Sequence, residues 1–217
     1  MAAETQDKIS VLSFGAGAIG TYIGGSLAHH QHRVVFLERP AEVQPLREHG
    51  LKIKLEDQTI ALDDPLVVGS LEEALALGPF DLALFAMKAY DTVGALQEIA
   101  PFESQMPPIL CLQNGVSNEA AIAAVLGKDR VIAATVTSAI ERRAVGDIIL
   151  QRLRGMGVAA THPLSARLVN ALNDAGLNAR MYSHAVDMKW SKMLTNLLAN
   201  ASSAILDMTP EEIFAHP

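Results

Sequence analysis

Residues 9–20 read Ile-Ser-Val-Leu-Ser-Phe-Gly-Ala-Gly-Ala-Ile-Gly, and this stretch decides the fold. Ile9 to Phe14 is an apolar run of strand length. Gly15-Ala16-Gly17-Ala18-Ile19-Gly20 follows at once, and a helical pattern then continues to about His30. Strand, glycine turn and helix in direct succession form the context in which GxGxxG binds a dinucleotide. The first glycine permits the tight turn and the second lets backbone approach a pyrophosphate. The third allows close helix–strand packing. The helix N-terminus faces the anion. Gly24 and Gly25, further along the helix, are read as close-packing sites without a ligand role.

Outward from this motif the same alternation repeats. Arg33 to Leu37, Asp81 to Met87, Pro108 to Gln113 and Arg130 to Thr137 are apolar strand-like runs. Helical segments follow at 71–77, 90–100 and from Ser117. Leu66 to Val68 is a brief strand, and 51–55 with 59–62 reads as a short hairpin or two crossover strands. Continuous apolar strands alternating with helices predict a Rossmann-type, doubly wound, mostly parallel α/β sheet. Between Ile140 and Ala160, glycines at 146, 155 and 157 separate short strands, which predicts an antiparallel edge. A helix at 163–175 and a strand at 179–182 close the pattern. After Ser183 only helix remains, with one long helix expected over 187–206. Thr209-Pro210-Glu211-Glu212 opens another, with proline in its first turn. The expected division is a nucleotide-binding domain over 1–182 and the beginning of a helical domain, apparently incomplete, over 183–217.

Composition removes other classes. Of 217 residues half are hydrophobic and 19% charged, enough for a packed core. The formal charge of -7 argues against nucleic acid and anionic membrane as partners. The single cysteine, Cys111, excludes an intrachain disulfide and favours a reducing compartment. A polar N-terminus and the lack of any apolar run near ~18 residues predict a cytoplasmic protein.

Four polar features interrupt this apolar frame. Glu38 and Arg39 follow the second strand, where an acid binds the ribose hydroxyls of NAD and an arginine accommodates the phosphate of NADP. Pro40 is expected to stiffen this loop. Lys88 and Asn114 follow the strands at 81–87 and 108–113, at the carboxyl ends where doubly wound sheets bind ligands. Lys192, Asn196 and Asn200 recur at i, i+4, i+8 and so share a helix face. A lysine there can protonate a carbonyl oxygen, and the amides can hold a carboxylate or hydroxyl. Trp190 is expected to pack. His29, His30 and His32 are read as solvated residues at a helix end, with no metal site expected. Cys111 is read as inert core. His184 and Asp187 are read as surface or capping residues, and Arg142, Arg143, Arg152 and Arg154 are too sparse for a nucleic-acid stripe.

Together GAGAIGTYIGGSLA (15–28), FAMKAYDT (85–92), LQNGVSNE (112–119) and VDMKWSKMLTNLLANASSAIL (186–206) resemble the ketopantoate reductase (2-dehydropantoate 2-reductase) family. The segments span most of the chain in the family's order. The resemblance implies NADPH-dependent reduction of a 2-oxo acid, foremost 2-dehydropantoate to pantoate. Lys192 is then the general acid, with Asn196, Asn200 and Asn114 on the substrate. Gly15, Ala16, Gly17, Ala18, Ile19, Gly20, Arg39, Lys88 and Asn114 are then on the cofactor. It also implies a small-molecule partner and a homodimer through the helical part. The chain departs from the family at Ala201-Ser202-Ser203, where proline and soon threonine are usual, and at Glu38, where a neutral residue is usual. Two other readings are a dinucleotide-binding module without turnover and a dehydrogenase of another hydroxy acid.

Overall fold

The computed structural model describes residues 8–153 and 155–215; residues 1–7, Arg154 and residues 216–217 lie outside it. In chain order the elements are β1 (Ser10–Phe14), α1 (Ala18–His29), β2 (Arg33–Leu37), α2 (Pro40–His49), β3 (Leu51–Lys54), β4 (Thr59–Leu62), β5 (Leu66–Val68), α3 (Leu71–Ala76), β6 (Leu82–Phe85), α4 (Thr92–Ile99), β7 (Ile109–Cys111) and α5 (Asn118–Leu126). These are followed by β8 (Val131–Val136), β9 (Ala139–Ala144), β10 (Asp147–Arg152), β11 (Met156–Ala159), α6 (Ser165–Asp174), β12 (Ala179–Tyr182), α7 (Ala185–Asn196), α8 (Ser202–Leu206) and α9 (Pro210–Ala215).

Eight strands form the main sheet in the order β12-β11-β8-β7-β6-β1-β2-β5. Every pairing in it is parallel except β8 with β11. The expected α/β class and mostly parallel sheet are what the structure has. Parallel strands covered on both faces must be apolar throughout, and Leu82 to Phe85 and Ile109 to Cys111 are wholly buried. Strand order runs outward in both directions from β1. The topological switch point, where such sheets bind ligands, is therefore the β1–β6 boundary.

The remaining strands build a second sheet, β4-β3-β10-β9, which the sequence did not reveal as separate. β3 and β4 form the hairpin. The expected antiparallel edge divides in two: β9 and β10 pair antiparallel in the second sheet, and β11 joins the main one. Helix α1 packs against both sheets, so Gly20 through Leu27 are buried without interruption. A Cβ on Gly24 would lie 2.8 Å from Phe36, in β2, and one on Gly25 would lie 3.0 Å from Ile53, in β3. The pair is thus explained by one sheet on each side of the helix.

Two local expectations are corrected. Pro40 does not stiffen a loop; it sits in the first turn of α2, whose N-cap is Arg39. Its fixed φ suits that position, while Pro45 inside the helix and the many polar residues hide it in the sequence. His32 is not solvated but 5% exposed. Its Nδ1 accepts the Ile9 backbone N–H at 3.1 Å. Burial, then the nearby Lys8 cation, lowers its pKa from the usual 6.5. A base whose folded pKa is depressed contributes stability that is complete above its unfolded value and lost as pH falls below it. The chain should therefore lose thermal stability below about pH 6.5. In His32→Asn, which keeps an acceptor for Ile9 but does not titrate, the loss between pH 7 and 5 should be smaller.

After β12 the chain is helical, as expected, but the long helix is not uniform. A π-helical turn, Leu197–Ala201, separates α7 from α8. α9 has a capping box: the Glu212 carboxylate accepts from Thr209 N–H at 2.7 Å, and Thr209 Oγ1 accepts from Glu212 N–H at 3.2 Å. No helix among the described residues is long and apolar enough to cross a membrane.

Candidate active site at the carboxyl edge of the sheet

The glycine loop is held from three directions. Ala16 carbonyl accepts from Thr21 Oγ1 at 2.7 Å and from Gly146 N–H at 3.0 Å. Ala16 N–H donates to Glu38 Oε1 at 2.5 Å. Gly146 lies in the β9–β10 turn, so the second sheet helps fix the loop. Gly20 is obligatory: a Cβ there would sit 1.9 Å from the Gly15 carbonyl oxygen. At Gly17, the N-cap of α1, a Cβ would meet nothing within 4 Å. No side chain caps the first turn of α1, and it carries no acidic residue. An open N-cap glycine before uncapped N–H groups suits the anionic pyrophosphate of a dinucleotide. The chain's residues therefore fit such a cofactor.

Glu38 and Arg39 separate in role. Glu38 is half-buried and its carboxylate serves the glycine loop, also accepting from Arg39 N–H at 3.1 Å. Arg39 is exposed and is the N-cap of α2.

Lys88 and Asn114 follow neighbouring strands, β6 and β7, and both are exposed. The three strands β1, β6 and β7 are adjacent and parallel, so their loops emerge at one edge. Two strand steps of ~4.8 Å put the outer loops about 10 Å apart. The buried Gln113 ties the later two together. Its Nε2 donates to Thr92 Oγ1 at 2.7 Å and to the Met87 and Lys88 carbonyls at 3.3 Å each. Asn114 carbonyl accepts from Asn118 Nδ2 at 2.8 Å.

Helix α7 packs on β8 and β11. Its buried residues are Met188 and Lys189. Met188 contacts the apolar cluster of Ala133 and Ala159 and sits over Gly157, where a Cβ would lie 2.6 Å from its sulfur. Lys189 Nζ lies 2.7 Å from Glu119 Oε1 and donates to the carbonyls of Gln113 at 2.8 Å and Ala134 at 3.3 Å. Lys192 and Asn196 are half-buried and follow on the same face. Asn200 falls in the π turn, is exposed, and lies 3.5 Å from Asn196 through its amide. The three residues therefore stay neighbours but do not share one burial environment. π turns recur at functional sites.

Other residues fall outside this edge. Trp190 is 51% exposed rather than packed. His184 and Asp187 are exposed, as expected. Cys111 is fully buried; burial, and then the Glu119 carboxylate, push its thiol up to about 12, consistent with inert core. Gln113, Glu119 and Lys189 also belong to this edge, which their places in the sequence do not announce. The signal for Lys189 was a cation one turn before Lys192, on the face that must pack.

The ketopantoate reductase PanE/ApbA family profile matches residues 11–183. A 2-dehydropantoate 2-reductase of Halobacterium salinarum is 26% identical over 203 residues, covering 89% of this chain and 64% of the relative. A PanE/ApbA family ketopantoate reductase structure from Ralstonia eutropha JMP134 superposes with a TM-score of 0.79 at 28% identity, over 92% of this chain and 65% of that one. A D-mandelate dehydrogenase solved with NADH and anilino(oxo)acetate superposes with a TM-score of 0.76 at 23% identity over 92% of this chain and 65% of that one, a likeness of fold alone. The chain thus spans just under two thirds of these relatives' length. With the family profile covering the glycine loop, the Lys88 and Asn114 loops and the sheet through Ser183, the chain belongs to the PanE/ApbA ketopantoate reductase family.

Proposed function

We propose that this chain carries out NADPH-dependent reduction of a 2-oxo acid, with 2-dehydropantoate to pantoate as the first candidate. The observation that supports it most is the tie from Lys189 to Gln113 carbonyl at 2.8 Å. It joins α7, bearing Lys192 and Asn196, to the base of the Asn114 loop. Bound at the Gly15–Gly20 loop, the nicotinamide cofactor supplies the hydride. Lys192 donates the proton that the reduced carbonyl oxygen needs. Asn196, Asn200 and Asn114 orient the acid by hydrogen bonds, and Lys88 lines the cofactor side of the same edge. A cationic donor also holds the substrate's carboxylate, which favours 2-oxo acids over neutral ketones.

In this reading residues 1–182 bind the cofactor, and residues 183–217 begin the substrate-binding helical part of a cytoplasmic enzyme. Exposed Val186, Leu194, Leu198, Ile205 and Phe214 on the last helices are compatible with a homodimer through that part. The test is oxidation of NADPH with ketopantoate and a panel of other 2-oxo acids, together with reduction of NADP+ by 3-hydroxy acids. Turnover lost in Lys192→Ala supports the reading; NADPH binding without turnover on any of them favours a cofactor-binding module.

Arg39, exposed just after β2, pairs with the 2′-phosphate of NADPH. Such a charge-assisted bond is worth roughly 1.5–3 kcal/mol, so Arg39→Ala should weaken NADPH about tenfold to a hundredfold and leave NADH nearly unchanged. A second reading rests on Glu38, whose carboxylate is anchored at the Ala16 N–H. A carboxylate there suits an unphosphorylated ribose. An unchanged NADPH-to-NADH preference in Arg39→Ala would favour this second reading. Dissociation constants from nicotinamide fluorescence decide between them.

A further inference from the structure

Lys189 is 6% exposed; its ammonium donates to two carbonyls, Gln113 and Ala134, and is ion-paired with the Glu119 carboxylate at 2.7 Å. These come from three different elements. Glu119 is in the first turn of α5, Gln113 follows β7, and Ala134 is in β8. The register of β7 with β8 ends at Cys111 and Ala133. Beyond that point the strands part, and the Gln113 and Ala134 carbonyls both turn to Lys189. An ion buried this deeply costs stability unless paired, so a buried pair is poor evidence of stabilisation by itself. Met188, next in the chain, already gives α7 an apolar seat on Ala133 and Ala159. A methionine or leucine at 189 could have extended that seat. The cation instead supplies direction: two carbonyl acceptors and one ion-pair partner fix the azimuth and height of the helix, which apolar packing leaves loose.

We propose that Lys189, paired with Glu119, is a positioning residue that sets the reach of Lys192 and Asn196 over the crevice. This rests on the reading of Lys192 as the proton donor. Lys189 itself touches neither substrate nor cofactor. It works through two connections. Along α7, Lys192 lies three residues on, on the same face. Through Gln113, whose backbone it holds and whose side chain holds Met87 and Lys88, it links α7 to the loops after β6 and β7. One ammonium thus fixes the proton donor relative to the cofactor edge. Reaction geometry tolerates little slack; a displacement of about 1 Å costs on the order of a hundredfold in rate.

The test uses the 217-residue chain with Lys189→Met, Glu119→Gln and the double variant. Amide hydrogen exchange is read in α7 and, as an internal reference, in α1. Kinetics are read on the best 2-oxo acid, with Lys192→Ala in parallel. In Lys189→Met, α7 amides should exchange at least tenfold faster while α1 is unchanged. kcat should fall by about thirtyfold or more, with the cofactor dissociation constant within threefold of the parent. The Lys189→Met change strands the Glu119 carboxylate and so lowers the melting temperature. The double variant removes that stranded charge, and should recover the melting temperature without recovering kcat. Unchanged α7 exchange overturns the proposal, and so does recovery of kcat together with stability. Full turnover in Lys192→Ala would instead remove the proton-donor reading. The exchange measurement, which needs no substrate, would then still decide whether Lys189 seats the helix.

Discussion

Lys192→Ala should lower turnover on the 2-oxo acid by about 10²–10⁴-fold, the range for loss of a general acid. The side chain lies half-buried on the face of α7 that packs against the sheet, one turn beyond the anchored Lys189. Its removal leaves the glycine loop untouched, because that loop is held by Glu38, Thr21 and Gly146 on the far side of the crevice. Cofactor affinity should therefore stay within a few-fold, as steady-state NADPH oxidation and fluorescence titration would measure together. Lys192→Arg separates two contributions. It keeps a cation for the substrate carboxylate, so KM should largely recover. Arginine does not release its proton in proteins, so kcat should stay low. Unaltered turnover in Lys192→Ala would remove the residue from the mechanism.

Gly20→Ala is the second large effect. The added methyl would stand 1.9 Å from the Gly15 carbonyl oxygen and 3.2 Å from Ser13 Oγ. Those neighbours cannot rotate aside, because the nearest is backbone. The loop must move by more than an ångström, which breaks the alignment of the α1 N-terminus with a phosphate. Cofactor affinity should fall by at least about a hundredfold, by the same sensitivity that positioning effects show elsewhere. Overpacking of this kind also costs roughly 1–3 kcal/mol of stability. Gly17→Ala provides the contrast. Its Cβ meets no protein atom within 4 Å, so stability should hold, and any loss of affinity reports the ligand's own approach. Equal dissociation constants for parent and Gly20→Ala would contradict the dinucleotide assignment of the loop.

Much of this was legible in the residues because it depended on local rules. Ile9 to Phe14 could only be a buried strand, and Gly15 to Gly20 could only turn it into a helix. β2 and β12 appear at the bounds expected. α2 was missed because Pro45 and a polar surface obscure its period, although Pro40 suits a first helical turn. An α-helical count puts Asn200 in line with Asn196, and the π turn alters that. His32 stands among polar neighbours, which point to solvent, yet it is buried. Its burial depends on the β1 entry and on Ile9 N–H, more than twenty residues away.

The mostly parallel sheet, the glycine turn between its first strand and helix, and the polar residues at strand ends could be read from the residues alone. Those follow from periodicity and from where polar side chains interrupt apolar runs, both properties of neighbouring residues. That 51–62 and 139–152 leave the main sheet and form a second one against α1 emerges in the folded chain alone. Folding likewise gave Glu38 to the Ala16 N–H and brought Lys189 to Glu119, 70 residues away along the chain. Strand pairing and buried ion pairs are fixed by long-range contacts, and a linear pattern carries the capacity for such contacts but not the choice of partner.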